Sequence, residues 1–340
     1  MRRFLLPLLL LLVLLAGCAA PATATPSAPA TPTSPATPTR LPSATIGLSY
    51  IPNVQFAPFY LAEADAAFTT AGVDATLRHH GSAEGLFTAI TAGQEDFVIA
   101  GGDEALQARE NGVDLVAVGT YYASYPVEVL VPEQSQIASL ADLRGARIGV
   151  PGRYGESWFG LLVALKTAGL TEDDVEVVEV GYTQQAALAG DKVDAVVGFS
   201  NNDAVQFGLA GVPVRGLPLT SAGAPPLVSI SLLTTRTYLE ANPETVRAVA
   251  EGMVAGINAV AADPARAVTL TAAQVPGMDA TAARATLDAT ISVMLGGAQQ
   301  ADGAVEVDRW RAMADFMLAQ GLLSRPADVA AATAPEVLGG

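Results

Sequence analysis

Cysteine, lysine and histidine are nearly missing from this 340-residue chain. It holds one cysteine, Cys18, two lysines, Lys166 and Lys192, and two histidines, His79 and His80. A lone thiol removes internal disulfides and thiol catalysis from consideration. Adjacent histidines on a strand point to opposite faces, and with no cysteine or acidic cluster around them a metal site is not expected. No serine motif comes with a plausible histidine partner. No glycine-rich phosphate loop is followed by Lys-Ser/Thr. Gly101-Gly-Asp-Glu104 opens a helix after a strand, yet Asp103 would repel an anion there, and capping is its expected role. Positive charge is also short: 18 Lys+Arg against 34 Asp+Glu give a formal charge of −16. Without a basic stripe to displace counterions, nucleic-acid binding is excluded. No acid/base set for catalysis is visible, so the sequence does not read as an enzyme.

What is present is a core-rich composition, 51% hydrophobic and 15% charged, in a chain long enough for two lobes. Met1-Arg-Arg3, the apolar run 4–15 and Leu15-Ala-Gly-Cys18 have the parts of a secretory leader, and the run is too short to span a bilayer. Leu-Ala-Gly-Cys resembles the bacterial lipobox, which implies removal of residues 1–17 and acylation of the Cys18 sulfur. The stretch 18–44 is Pro, Thr, Ala and Ser with one charge, Arg40, a composition that cannot bury enough apolar surface to fold. It reads as an extended tether holding a folded body off the outer face of a cell membrane.

From Thr45 short apolar strands alternate with helical patterns, the signature of α/β units on mostly parallel sheets. Strands are expected near 46–50, 74–79, 97–100 and 115–121, with helices at 59–71, 83–92 and 103–111. A second series repeats this: strands 147–150, 175–180, 194–198 and 212–217, helices 157–168, 183–189 and 202–209. Beyond Pro243 the pattern is helical, at 243–262, 264–273, 280–295 and 308–320. The layout predicts two α/β lobes, 45–126 with 232–340 and 127–231. They would be joined by two extended hinge crossovers at 125–131 and 227–235, and a helical C-terminal tail would pack back.

Loops at the C-terminal ends of strands are where open α/β sheets bind ligands. Gly149-Val-Pro-Gly-Arg-Tyr-Gly-Glu-Ser-Trp-Phe159 brings Tyr154, Glu156 and Trp158 to such an edge. Tyr50-Ile-Pro-Asn-Val-Gln-Phe-Ala-Pro-Phe-Tyr60 brings Asn53, Phe56 and Phe59. Tyr121 and Tyr125 follow another strand, and Asn201 and Asn202 occupy the equivalent place in the second series. Six aromatic faces with amide and carboxyl edges suit a flat, neutral ring system. Core packing of Phe56, Phe59, Tyr154 or Trp158, and helix capping by Asn201 or Asn202, are the competing readings.

The tether, the two series and these two long phrases together resemble the substrate-binding lipoproteins of ABC importers, over about 45–321. The branch is the thiamine-pyrimidine-precursor-binding-like family, which includes the riboflavin binders of RibXY-type importers. The resemblance implies a type II periplasmic-binding-protein fold that closes on a ligand. It also implies a monomer lipid-anchored on the extracytoplasmic side, with a permease and its ATPase as partners. Pyrimidine binders and related synthases usually carry Trp-x-Pro-Asn-x-x-His in the first phrase; here Tyr50 and Phe56 stand at the Trp and His places. The synthases' active-site lysine, histidines and cysteine-rich motif are missing. Riboflavin therefore ranks first as transported ligand, a pyrimidine thiamine precursor second, and a sulfonate or nitrate third, since such anions call for a basic pocket. No bound cofactor is expected.

Overall fold

The computed structural model describes residues 40–80, 84–181, 183–220 and 227–339. Cys18, the leader and most of the tether lie outside them. Among the described residues ten strands form two sheets: β1 (Ser43–Leu48), β2 (Asp74–His79), β3 (Phe97–Gly101), β4 (Leu115–Thr120), β5 (Val127–Pro132), β6 (Arg147–Val150), β7 (Glu176–Glu179), β8 (Ala195–Phe199), β9 (Val214–Pro218) and β10 (Ile230–Thr235). The first sheet is ordered β2-β1-β3-β10-β4 and the second β7-β6-β8-β5-β9. These are one pattern used twice. In each, the first parallel strand lies between the second and third, and an antiparallel strand separates the third from the fourth.

Central strands β3 (FVIAG) and β8 (AVVGF) are apolar along their length, as strands covered on both faces must be. Edge strand β7 (EVVE) carries a carboxylate at each end, which discourages further pairing. One buried cluster continues from β3 and β4 through β5, β6 and β8 to the helix Val307–Ala319.

The segments 125–131 and 227–235 differ from expectation. They are largely β5 and β10, the antiparallel strands that complete the two sheets, and not free hinges. Their apolar residues are registered against neighbours on both sides, so bending there would break ladder hydrogen bonds. The chain passes between the sheets at 121–126 and again just before β10, so the expected crossovers overlap the observed ones at 125–126 and 227–229. The helix expected at 59–71 is two, Ala57–Ala64 and Ala67–Ala71, because Ala66 takes a left-handed conformation at φ 55°. The one expected at 83–92, whose first residue lies outside the described residues, shrinks to Thr88–Thr91.

The C-terminal helices Pro243–Ala262, Pro264–Gln274 and Ala280–Leu295 pack on the first sheet's side, against the helix Ala57–Ala64. A Cβ on Gly256 would lie 2.1 Å from the Pro58 carbonyl oxygen, so glycine lets the long helix meet the backbone just past the Ser49–Phe56 loop.

Candidate functional site

The C-terminal ends of β1, β3, β4, β6 and β8 face a cavity of about 790 Å³, toward the upper end of the ~300–1,000 Å³ usual for ligand sites. Three walls enclose it. The first is the loop after β1 with Ile99, Glu104, Tyr121, Tyr122 and Ile230. The second is Pro151, Tyr154 to Ser157, Gln184, Phe199, Asn202, Asp203 and Gln206. The third is Val275, Met278, Asp279 and the first turns of the helix Ala280–Leu295.

Local chemistry fixes each wall. After β1, Asn53 Oδ1 accepts the Gln55 N–H at 2.8 Å and caps a short 3-10 turn, while its Nδ2 donates to the Ile51 carbonyl at 3.2 Å. His79 holds the same loop, its Nδ1 3.0 Å from the Tyr50 carbonyl oxygen and its Nε2 2.9 Å from the Tyr60 hydroxyl. The Tyr121 hydroxyl donates to the Gln55 carbonyl at 2.6 Å, and Gln55 Nε2 donates to the Tyr122 hydroxyl at 3.2 Å. These bonds lock the neighbouring rings of Tyr121 and Tyr122 into a stack, centroids 5.2 Å apart and planes at 15°. The result is a fixed aromatic pair in the cavity wall, most of its area already buried.

On the second wall Gly155, at φ 68°, lets the chain turn from Tyr154 into the helix Gly155–Ala168. Tyr154 is left 55% exposed at the rim, with Tyr50 and Ile51 exposed on the facing loop. After β8, Asp203 Oδ2 accepts the Phe199 N–H at 2.7 Å, and Gln206 Nε2 donates to Thr286 Oγ1 at 3.2 Å. Asp279 caps the third wall's helix through the Thr281 and Ala282 N–H groups, both at 2.8 Å.

The electrostatics are one-sided. Among the described lining residues there is no Lys, Arg or His, while Glu104, Glu156, Asp203 and Asp279 are present. Burial raises the Glu156 carboxyl well above the usual range, helped by Asp103 and Glu104, and pushes Glu104 up to about 7. Arg153 is the basic residue nearest these loops in sequence. It pairs with Glu172 and lies 4.7 Å over the Trp158 ring.

Of the ten residues expected at the site, the structure brings Asn53, Phe56, Tyr121, Tyr154, Glu156 and Asn202 to this cavity. The other four do not reach it. Phe59 is fully buried behind Tyr121, ring centroids 5.4 Å apart. Tyr125 is buried, its hydroxyl 2.9 Å from the Glu156 carbonyl oxygen. Trp158, one helical turn past Tyr154, lines a separate 320 Å³ cavity with Lys166 and Leu322. Asn201 is buried and donates to Thr290 Oγ1 at 3.1 Å. Residues added by the structure are Tyr122, Gln55, Glu104, Asp203, Gln206 and the whole third wall. Gln55 sits inside the phrase Tyr50 to Tyr60, and Tyr122 directly follows the expected Tyr121. Helix Ala280–Leu295 carries no strand-end signal that would have marked Thr286.

The family described as NMT1/THI5 like matches residues 53–267. Riboflavin-binding protein RibY of Chloroflexus aurantiacus is 33% identical over 98% of this chain and 96% of its own. A 4-amino-5-hydroxymethyl-2-methylpyrimidine phosphate synthase of Aspergillus parasiticus is 25% identical over 62% of this chain and 64% of its own. The alkanesulfonate-binding protein SsuA of Xanthomonas axonopodis pv. citri, bound to MOPS, superimposes with a TM-score of 0.67 at 23% identity, over 86% of this chain and 98% of that one. That likeness establishes a type II periplasmic-binding-protein fold, in accord with the repeated strand order. The chain belongs to the NMT1/THI5-like family.

Proposed function

We propose that this protein binds riboflavin in the 790 Å³ cavity and delivers it to the permease and ATPase of an ABC importer. The observation that carries the reading is a stacked tyrosine pair in the wall of a cavity whose described lining has acids and amides and no cation. A flat, neutral ring system with a hydroxylated tail uses both features: rings for burial and stacking, amides and carboxyls for the polar edge. A sulfonate or phosphate would enter an acid-lined site with no side chain to neutralise it. A single pyrimidine ring would leave much of the volume unfilled. The name of the Chloroflexus relative supports the same choice. The protein would act as a monomer tethered through an acylated Cys18 on the extracytoplasmic face, holding its ligand without transforming it.

Native mass spectrometry tests this. The protein, stripped of ligand and refolded, is offered riboflavin, flavin mononucleotide and the formylated aminopyrimidine in equal amounts. A one-to-one riboflavin adduct is expected to dominate. Dominance of the aminopyrimidine would replace the reading.

A further inference from the structure

Three acids converge where β3 ends. A Cβ built on Gly101 would lie 2.5 Å from Asp103 Oδ1, 3.0 Å from Glu104 Oε2 and 3.4 Å from Glu156 Cγ, so carboxyl side chains from two helices surround one glycine. Asp103 Oδ1 accepts the Glu104 N–H at 2.8 Å, and Glu104 Oε2 accepts the Gly101 N–H at 3.3 Å. Glu156 is different. It is 5% exposed and lines the cavity, and neither of its carboxyl oxygens has a well-formed hydrogen bond among the described residues. The buried Ser229 hydroxyl lies against it, short of a well-formed hydrogen bond, and its pull toward the charged form is outweighed by burial.

The titratable groups facing Glu156 are Asp103 and Glu104 from the helix Gly102–Glu110, and Tyr122 and Tyr125 from the crossing at 121–126. None is cationic. An isolated buried carboxylate costs so much that the group takes a proton instead, and acids in contact titrate as a set. The hydrogen-bond count around Tyr125 agrees. Its hydroxyl has one hydrogen but lies 2.9 Å from the Glu156 carbonyl oxygen and 3.2 Å from Asp103 Oδ2. A protonated Asp103 satisfies both contacts, by donating to the phenol oxygen while the phenol donates to the carbonyl.

We propose that Glu156 works as a neutral carboxylic acid that hydrogen-bonds the uncharged polar edge of the ligand, and that the Asp103–Glu104–Glu156 cluster makes binding reject anionic ligands and weaken as pH rises. The identity of the ligand rests on the riboflavin reading; the protonation of the cluster does not. A ligand entering the cavity strips the remaining water from Glu156 and further favours its neutral form. Once the free protein has ionised the cluster, binding must take up a proton, so affinity falls with rising pH. A ligand carrying its own negative charge is also repelled by each acid of the cavity that is ionised, so its binding should weaken more steeply as pH rises.

Two measurements test the proposal on wild type and Glu156→Gln, with thermal unfolding as the check on folding. In the first, riboflavin is titrated by flavin fluorescence between about pH 6 and about pH 8.5. The wild-type dissociation constant should rise at least about tenfold across this range, the loss of one protonation step per pH unit. Glu156→Gln keeps a neutral donor and acceptor; it should bind about two- to tenfold more weakly at the lower pH and stay within about threefold over the range. In the second, infrared difference spectra of the unliganded proteins at neutral pH should show protonated-carboxyl carbonyl absorption in wild type, from which Glu156→Gln loses the Glu156 component while that of Asp103 stays. Identical pH profiles in the two proteins, or no such loss, would overturn the proposal. Absence of quenching at every pH would overturn riboflavin as the ligand, and the infrared component would then decide the neutral acid by itself.

Discussion

Asn201 donates its side-chain amide to the Thr290 hydroxyl at 3.1 Å, and both residues are buried. One follows the second sheet's β8; the other belongs to a helix that packs with the first sheet's elements. Gln206 and Thr286, one turn back on the same helix, repeat the connection at 3.2 Å. Two amide-to-hydroxyl bonds therefore tie the two halves together along one edge of the cavity.

Breaking this latch should loosen the liganded state. Thr290→Val removes the acceptor and leaves a buried amide unpaired, which costs about 1–3 kcal/mol. Riboflavin affinity should fall roughly five- to a hundredfold, and X-ray scattering should show the liganded variant less compact than liganded wild type. Unchanged affinity and radius would mean that the bond closes nothing.

The two aromatics of the Gly149 to Phe159 stretch should separate cleanly. Tyr154 is exposed at the cavity rim, so Tyr154→Ala should alter stability by less than about 0.5 kcal/mol while weakening riboflavin by about 0.5–1.5 kcal/mol of stacking. Trp158 is buried on the other side of the same helix start, so Trp158→Ala should cost about 3–5 kcal/mol of stability. The smaller Trp158→Phe change should leave affinity within about threefold. Denaturant titration and fluorescence quenching read the two effects independently.

Stability should fall as pH rises from about 5 to about 8. Burial holds Glu104 at about 7 in the folded chain, above its ordinary 4.5, and raises Asp103 and Glu156 as well. Over this window the folded state binds more protons than the unfolded one, so deprotonation favours unfolding. Acids held low by partners, such as Asp194 beside Arg147, act in the opposite sense and only at lower pH. The melting temperature of wild type should therefore decline between these limits, and Glu104→Gln should flatten the decline. A wild-type melting temperature that climbs with pH would refute the buried-acid account.

Cys18→Ala should move the protein from the membrane fraction to the soluble extracytoplasmic one, or block its processing. Fractionation with mobility on a denaturing gel reads both. A variant that stays membrane-bound at unchanged mobility would contradict the lipid anchor.

Much of this architecture was legible in the residues. Strand ends and glycine stops placed β2 and β6 at their observed limits, as they did the helices Pro243–Ala262 and Ala280–Leu295. What misled was extended backbone without helical periodicity. Segments 125–131 and 227–235 read as connectors because their partners, β8, β9, β3 and β4, are distant in sequence. The same limit governed the site. Tyr154 and Glu156 follow from a strand end, but Asn201 and Asn202 are adjacent, and only packing decides which faces the cavity: Asn202 does, and Asn201 turns to Thr290. Thr286 and Gln206 meet across 80 residues of chain, a distance no local pattern spans.

The central claim is a neutral flavin site, and a fluorescence titration with competitors tests it most directly. Riboflavin stacked on Tyr122 and its neighbours should be quenched at micromolar protein, with flavin mononucleotide and the formylated aminopyrimidine each displacing it only at concentrations at least about tenfold higher, a difference of ~1.4 kcal/mol. Displacement by the aminopyrimidine at lower concentration than by riboflavin itself, or no quenching at all, would contradict the account.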